Sequence, residues 1–121
     1  MSHGVQGRRR ATPLDPELAA AVAETMQALA APSRLLIIDR LRRGPASVSA
    51  LAEAVAMEQS AVSHQLRILR HLRMVVGVRQ GKRVIYSLHD SHLGTLLEEA
   101  VGHTEHLRLR GASAMPEVLA S

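Results

Sequence analysis

Tyr86 is the only aromatic residue among 121, and the chain has no Cys. Without Phe or Trp, a core must be filled by Leu, Val, Ile, Ala and Met, which bury less area per side chain than aromatic rings. Such a core is small and helical, or it is shared between chains, so a dimer is expected. The absence of Cys excludes disulfides, thiolate metal sites and Cys nucleophiles. The length fits one domain. Hydrophobic residues at 46% and charged residues at 21% exclude a fully disordered tail or a collagen-like repeat. No apolar run is long enough to span a membrane. The first ten residues, MSHGVQGRRR, lack the apolar stretch of a secretory signal. The expectation is a cytoplasmic protein with no membrane partner.

Lys and Arg number 15 against 11 Asp and Glu, for a net charge of +4, and Lys82 is the lone Lys. An Arg-dominated excess suits a polyanionic partner, or simply a soluble basic surface. Residues 1–15 carry Gly4, Gly7, Arg8-Arg9-Arg10 and Pro13 and are expected to form a flexible arm. The arginine run could follow a DNA minor groove or be merely solvated.

Asp15-Pro16 then opens a first helix, with Leu18, Val22, Met26 and Leu29 at helical spacing and an end near Ala30. A second helix carries Leu35, Leu36, Ile38 and Leu41 and stops at Gly44-Pro45. Two short helices follow. Ser47 starts one, with Leu51, Ala52 and Val55 apolar; Ser60 opens the other, with Val62, Leu66 and Leu69 buried. Beyond Leu72 the period changes from 3.6 to 2. Residues 74–79 and 83–88 read as two strands joined by Gln80-Gly81-Lys82. A last helix runs from about Ser91 to about Leu107, and residues 108–121 form a flexible tail. The chain is therefore mainly α with a β-hairpin, its folded domain spanning 16–107.

The exposed face of the fourth helix carries Gln59, Ser60, Ser63, His64, Arg67 and Arg70, residue types that contact base edges and phosphates. Arg79, Lys82 and Arg83 cluster at the hairpin tip. Two short helices, the second polar and basic, followed by a basic hairpin, make a winged helix-turn-helix. An ordinary helical bundle with a hairpin is the plainer alternative.

Seven His are present. His103 and His106 are three apart and share a helix face. His92 and His103 lie on one stripe, yet eleven residues at ~1.5 Å separate them by roughly 16 Å. One helix cannot fold them round a single ion. Two antiparallel copies can, with Asp90 and His92 of one meeting His103 and His106 of the other. Gly94 and Gly102 would permit a close approach of the two. Spacing alone leaves open a metal site, a solvated face or a pH-sensitive seam. Asp90 would also serve as a helix cap.

A resemblance narrows these choices. Residues Leu29–Ile38, Leu51-Ala-Glu, the stretch Gln59–Arg70 with its Ser-x-x-Ser-His-x-Leu core, and the Gly81–Leu88 hairpin together resemble the ArsR/SmtB family of bacterial metal-responsive transcriptional regulators. The likeness covers about residues 16–107. It implies a homodimer through the first and last helices. It also implies base contacts from Ser60, Ser63 and His64, with Gln59 and the wing arginines positioning the protein. Asp90-x-His92-x(10)-His103-x-x-His106 matches the last-helix metal site of the zinc-, nickel- and cobalt-sensing branches. The opening Ser-His-Gly-Val is similar to the arm of the nickel/cobalt-sensing branch, which implies that the Ser2 amine and the His3 ring complete a six-coordinate site after removal of Met1.

The implied function is a regulator, a repressor on the family's usual pattern. It would sense Ni(II) or Co(II), with Zn(II) next, and leave double-stranded operator DNA when the ion binds. The alternative is a metal-independent regulator, an activator, or one controlled by a partner protein. A metal-dependent hydrolase would need an open coordination position and a base. Glu98, Glu99 and Glu105 are near, but no pocket-forming pattern surrounds them, so an enzyme is not expected.

Overall fold

The computed structural model describes the backbone of residues 12–120 and the side chains of residues 12–110. Helix α1 spans Pro16–Ala28. Asp15 opens it, accepting the Leu18 N–H at 2.7 Å, and Pro16 sits where no intrahelical donor is needed. The helix stops two residues short of the expected Ala30. Of its residues only Ala28 is buried. Helix α2 spans Pro32–Leu41 and buries Ile37, Ile38 and Leu41. Leu36, expected inside, is 51% exposed, and Ile37 takes its place. Four consecutive apolar residues leave the phase of that stripe undetermined in the sequence.

A two-residue strand β1, Ala46–Ser47, precedes α3, Val48–Val55. The Ser47 hydroxyl accepts the Ala50 N–H at 3.2 Å and caps α3, as its position predicts. Helix α3 ends at Ala56, whose backbone is left-handed (φ 56°, ψ 51°). Helix α4 spans Gln59–His71. It begins one residue before the expected Ser60: Glu58 flanks it, and no side chain caps it. Val62, Leu66 and Leu69 face inward, with at most 1% of their surface exposed.

Strands β2, Val75–Gln80, and β3, Arg83–Leu88, pair antiparallel from Val75 opposite Leu88 to Gln80 opposite Arg83. Gln80 therefore belongs to the ladder, and the turn is Gly81-Lys82, two residues rather than three. Gly81 supplies the positive φ of 65° that such a turn requires. β1 adds to β3, giving the order β1-β3-β2. Gly77 lets the wing close: a Cβ there would lie 3.0 Å from both Tyr86 Cε1 and Val84 Cγ1.

Helix α5 spans His92–Ala120, continuing well beyond Leu107. Gly111 and Pro116 suggested an earlier end, but Ala, Leu, Arg and Met around them favour helix. Its contact with the body runs through Leu93 and Leu97, while Val101 is exposed. Gly94 lies over the side chain of Arg42, just past the end of α2, and Gly102 faces open space.

Ile37, Ile38, Leu51, Val62, Leu66, Leu69 and Val75, all aliphatic, are the most deeply buried members of the core. It lies between α2, α3, α4 and the sheet, so the α3–turn–α4 unit and the β2–β3 wing rest on one support. Among the described residues no helix is long and apolar enough to cross a membrane.

A candidate nucleic-acid interface and a candidate metal centre

Helix α4 is amphipathic because its apolar residues recur at 62, 66 and 69, which turns the residues between them outward. Gln59, Ser60, His64, Arg67 and Arg70 are exposed and Ser63 is half-buried. The structure thus gathers the six α4 residues of the expected DNA face on one element. Arg79, Lys82 and Arg83 are exposed at the tip of the β2–β3 wing. The Arg79 guanidinium donates to the Gly81 carbonyl at 3.4 Å.

Arg34 is a residue whose role the sequence reading missed. Its Nε donates to the Ala28 carbonyl, and its Nη1 donates to Gln65 Oε1 at 3.0 Å. One α2 side chain thereby ties the C-terminus of α1 to the DNA-facing helix. No local pattern could have revealed this bond, which joins residues thirty-one apart in sequence.

The histidine-rich end is arranged differently. Ser91 flanks α5, its carbonyl accepting the Thr95 N–H at 3.1 Å. Asp90 stands one residue earlier and still caps, since its Oδ1 accepts the His92 N–H at 2.9 Å. That bond, followed by the hydrogen bond from His89, holds the Asp90 carboxyl below its ordinary range against the opposing effect of burial. Asp90 Oδ1 and His92 Nδ1 are 3.4 Å apart. Two donors each ~2.1 Å from one tetrahedral ion have about this separation. The pair is fit to hold a metal, and the His92 side chain is 90% exposed. His103 and His106 lie further along α5 beside a groove that also contains Arg42 and Glu98, which form an ion pair at 2.8 Å. Within one chain, no three His, Asp or Glu side chains of the described residues converge on a common point. Ser2 and His3 lie outside the described residues.

The α3–turn–α4 unit with its three-stranded wing is a winged helix-turn-helix, a DNA-binding class. The comparisons with known proteins agree. The family "Bacterial regulatory protein, arsR family" matches residues 31–76. The HTH-type transcriptional regulator NmtR of Mycobacterium tuberculosis is 60% identical over 110 residues, covering 90% of this chain and 92% of that one. The solution structure of apo-NmtR superposes with a TM-score of 0.69 over 89% of this chain and 92% of that one. A homodimeric winged helix-turn-helix DNA-binding domain from Mycobacterium bovis, 32% identical, has a TM-score of 0.67 and covers 81% of this chain and 94% of that one. The chain belongs to the arsR family of bacterial regulatory proteins. It is a DNA-binding transcriptional regulator, and the relatives it matches are regulators rather than enzymes.

Proposed function

We propose that the chain is a cytoplasmic, homodimeric regulator that answers to Ni(II) or Co(II), with Zn(II) the next choice, and leaves its operator when the ion binds. The observation that carries this is the split ligand set on α5. Asp90 and His92 sit 3.4 Å apart at the start of the helix, while His103 and His106 share a groove further along. A second copy running antiparallel would bring the two halves together. Ser2 and His3 would add further nitrogen donors, as the resemblance of the N-terminal stretch implies. Once bound, the ion supplies a cross-link between the last helices of two copies.

The uncovered faces of α1 and α5 support the dimer. α1 exposes Leu18, Val22 and Met26, and α5 exposes Val101, Leu107 and Leu109. Between α1, α2 and α5 lies an apolar cleft of about 200 Å³, lined by Met26, Leu29, Leu93 and Leu96 among others. A helix that buries a single alanine in its own chain gains little from it, and a partner would supply the missing contacts. On DNA, Ser60, Ser63 and His64 would face base edges, and Gln59, Arg67, Arg79, Lys82 and Arg83 would hold the backbone. The differential affinity of the ion for the DNA-free arrangement sets how far binding weakens.

Replacing His103 with Ala tests the reading. Fluorescence anisotropy on operator DNA should show the wild-type protein losing about 5- to 150-fold in affinity when Ni(II) or Co(II) is added. The variant should keep the metal-free affinity and lose the response. A variant that responds like the wild type would remove His103 from the site.

A further inference from the structure

Among the described residues, the arginines on and just after α2 differ from those on and just after α4. Arg34, Arg40, Arg42 and Arg43 are held by partners within the chain. The side chains of Arg67, Arg70 and Arg73 make no hydrogen bond or ion pair among the described residues. These three line a single groove of about 730 Å³ with Ser63, His71 and Tyr86. Ser63, Arg67, Arg70 and His71 supply it from one stripe of α4. Arg73 comes from the link to β2, and Tyr86 from β3. No carboxylate lines the groove, so its positive potential is not compensated.

A second observation singles out Arg73. Its φ is 62°, the left-handed conformation that L side chains resist. It follows the end of α4, where its N–H bonds the Arg70 carbonyl at 3.0 Å and the Met74 N–H bonds the Leu69 carbonyl at 2.9 Å. Glycine is the residue this helix-ending turn favours, and an arginine here costs stability. The Arg73 side chain is exposed and unpaired, so the fold gains nothing from it that offsets that cost.

We propose that this groove is a second phosphate-binding surface for duplex DNA, with Arg70 and Arg73 as its anchors. It rests on the reading of α4 as the DNA-facing helix. Ser63 and Arg67 belong both to the groove and to the DNA-facing side of α4, so the two surfaces are continuous. A strand of the duplex leaving that face would pass over Arg70 and Arg73. Three guanidinium groups along one open groove suit the phosphates of a backbone better than one small anion. These contacts fix the docking of the protein without reading sequence.

The test uses the full-length protein with the variants Arg73→Gly and Arg70→Gln. The probes are an operator duplex and a scrambled duplex of roughly 30 base pairs, about three helical turns. Each variant should weaken binding about tenfold on both duplexes. The slope of log affinity against log salt should become shallower by about one for each phosphate that the variant no longer neutralises. Arg73→Gly should at the same time leave Tm unchanged or raise it, because it relieves the backbone, so the loss on DNA cannot be a folding defect. Wild-type affinity and salt slope in both variants would overturn the groove and leave DNA binding by α4 intact. Weakening confined to the operator duplex would overturn the phosphate role in favour of a base contact. A wild-type protein that binds neither duplex at any salt would overturn the DNA-facing reading of α4, and this proposal with it.

Discussion

At the scale of single residues, two non-glycine positions among the described residues occupy left-handed backbone. Ala56 ends α3 inside the helix-turn-helix, and Arg73 follows α4. Ala56 has no charge to offer and is exposed. Ala56→Gly should therefore stabilise the fold by about 0.5 kcal/mol, the relief of strain less the extra freedom glycine gives the unfolded chain. A urea melt monitored by circular dichroism would measure the gain, and a loss of stability would contradict the strained assignment. Neither position was legible in the sequence, because the usual signal, a glycine, is missing. Ser47 and Asp15 were legible as caps, since a short polar side chain before an apolar helical pattern has few other uses. The exchange of Leu36 for Ile37 at the core was not, because an unbroken run of apolar residues carries no phase.

At the scale of elements, α4 is held from below by Val62, Leu66 and Leu69 and from the side by Arg34. The guanidinium has the fork needed to reach the Ala28 carbonyl and Gln65 together, and a lysine ammonium does not. Arg34→Lys should keep the charge and lose one of the two bonds. The expected cost is about 1–2 kcal/mol in chemical denaturation, together with weaker DNA binding as α4 loses its tether. An unchanged midpoint would mean that the bond does not restrain α4. Element order and type followed from periodicity, since the change from 3.6 to 2 after Leu72 marks the wing clearly. β1 escaped notice because two residues have no period, and their pairing with Ile85 and Tyr86 is a tertiary event. The end of α5 was not legible because single helix breakers are outweighed by the helix formers around them.

At the scale of the whole molecule, three surfaces are left incomplete by one chain: the apolar sides of α1 and α5, the basic faces of α4 and the wing, and the divided histidine set. A second copy would cover the first and join the third, and a duplex would cover the second. The separation of His92 from His103 was legible as simple arithmetic on helical rise, which is why an inter-chain site could be expected from sequence. The packing of Gly94 against Arg42 was not, because a small residue says only that something is close, and not what. The divided ligand set can be tested by complementation between two variants. One variant carries Asp90→Ala with His92→Ala, and another carries His103→Ala with His106→Ala. The visible absorption of Co(II) is recorded for each alone and for the two mixed and allowed to exchange subunits. Neither variant alone should hold a stoichiometric site, and the mixture should restore one site in each dimer that holds both variants. Tight Co(II) binding by either variant alone, or a mixture that stays silent although its subunits have exchanged, would contradict a metal site shared between two copies of this chain.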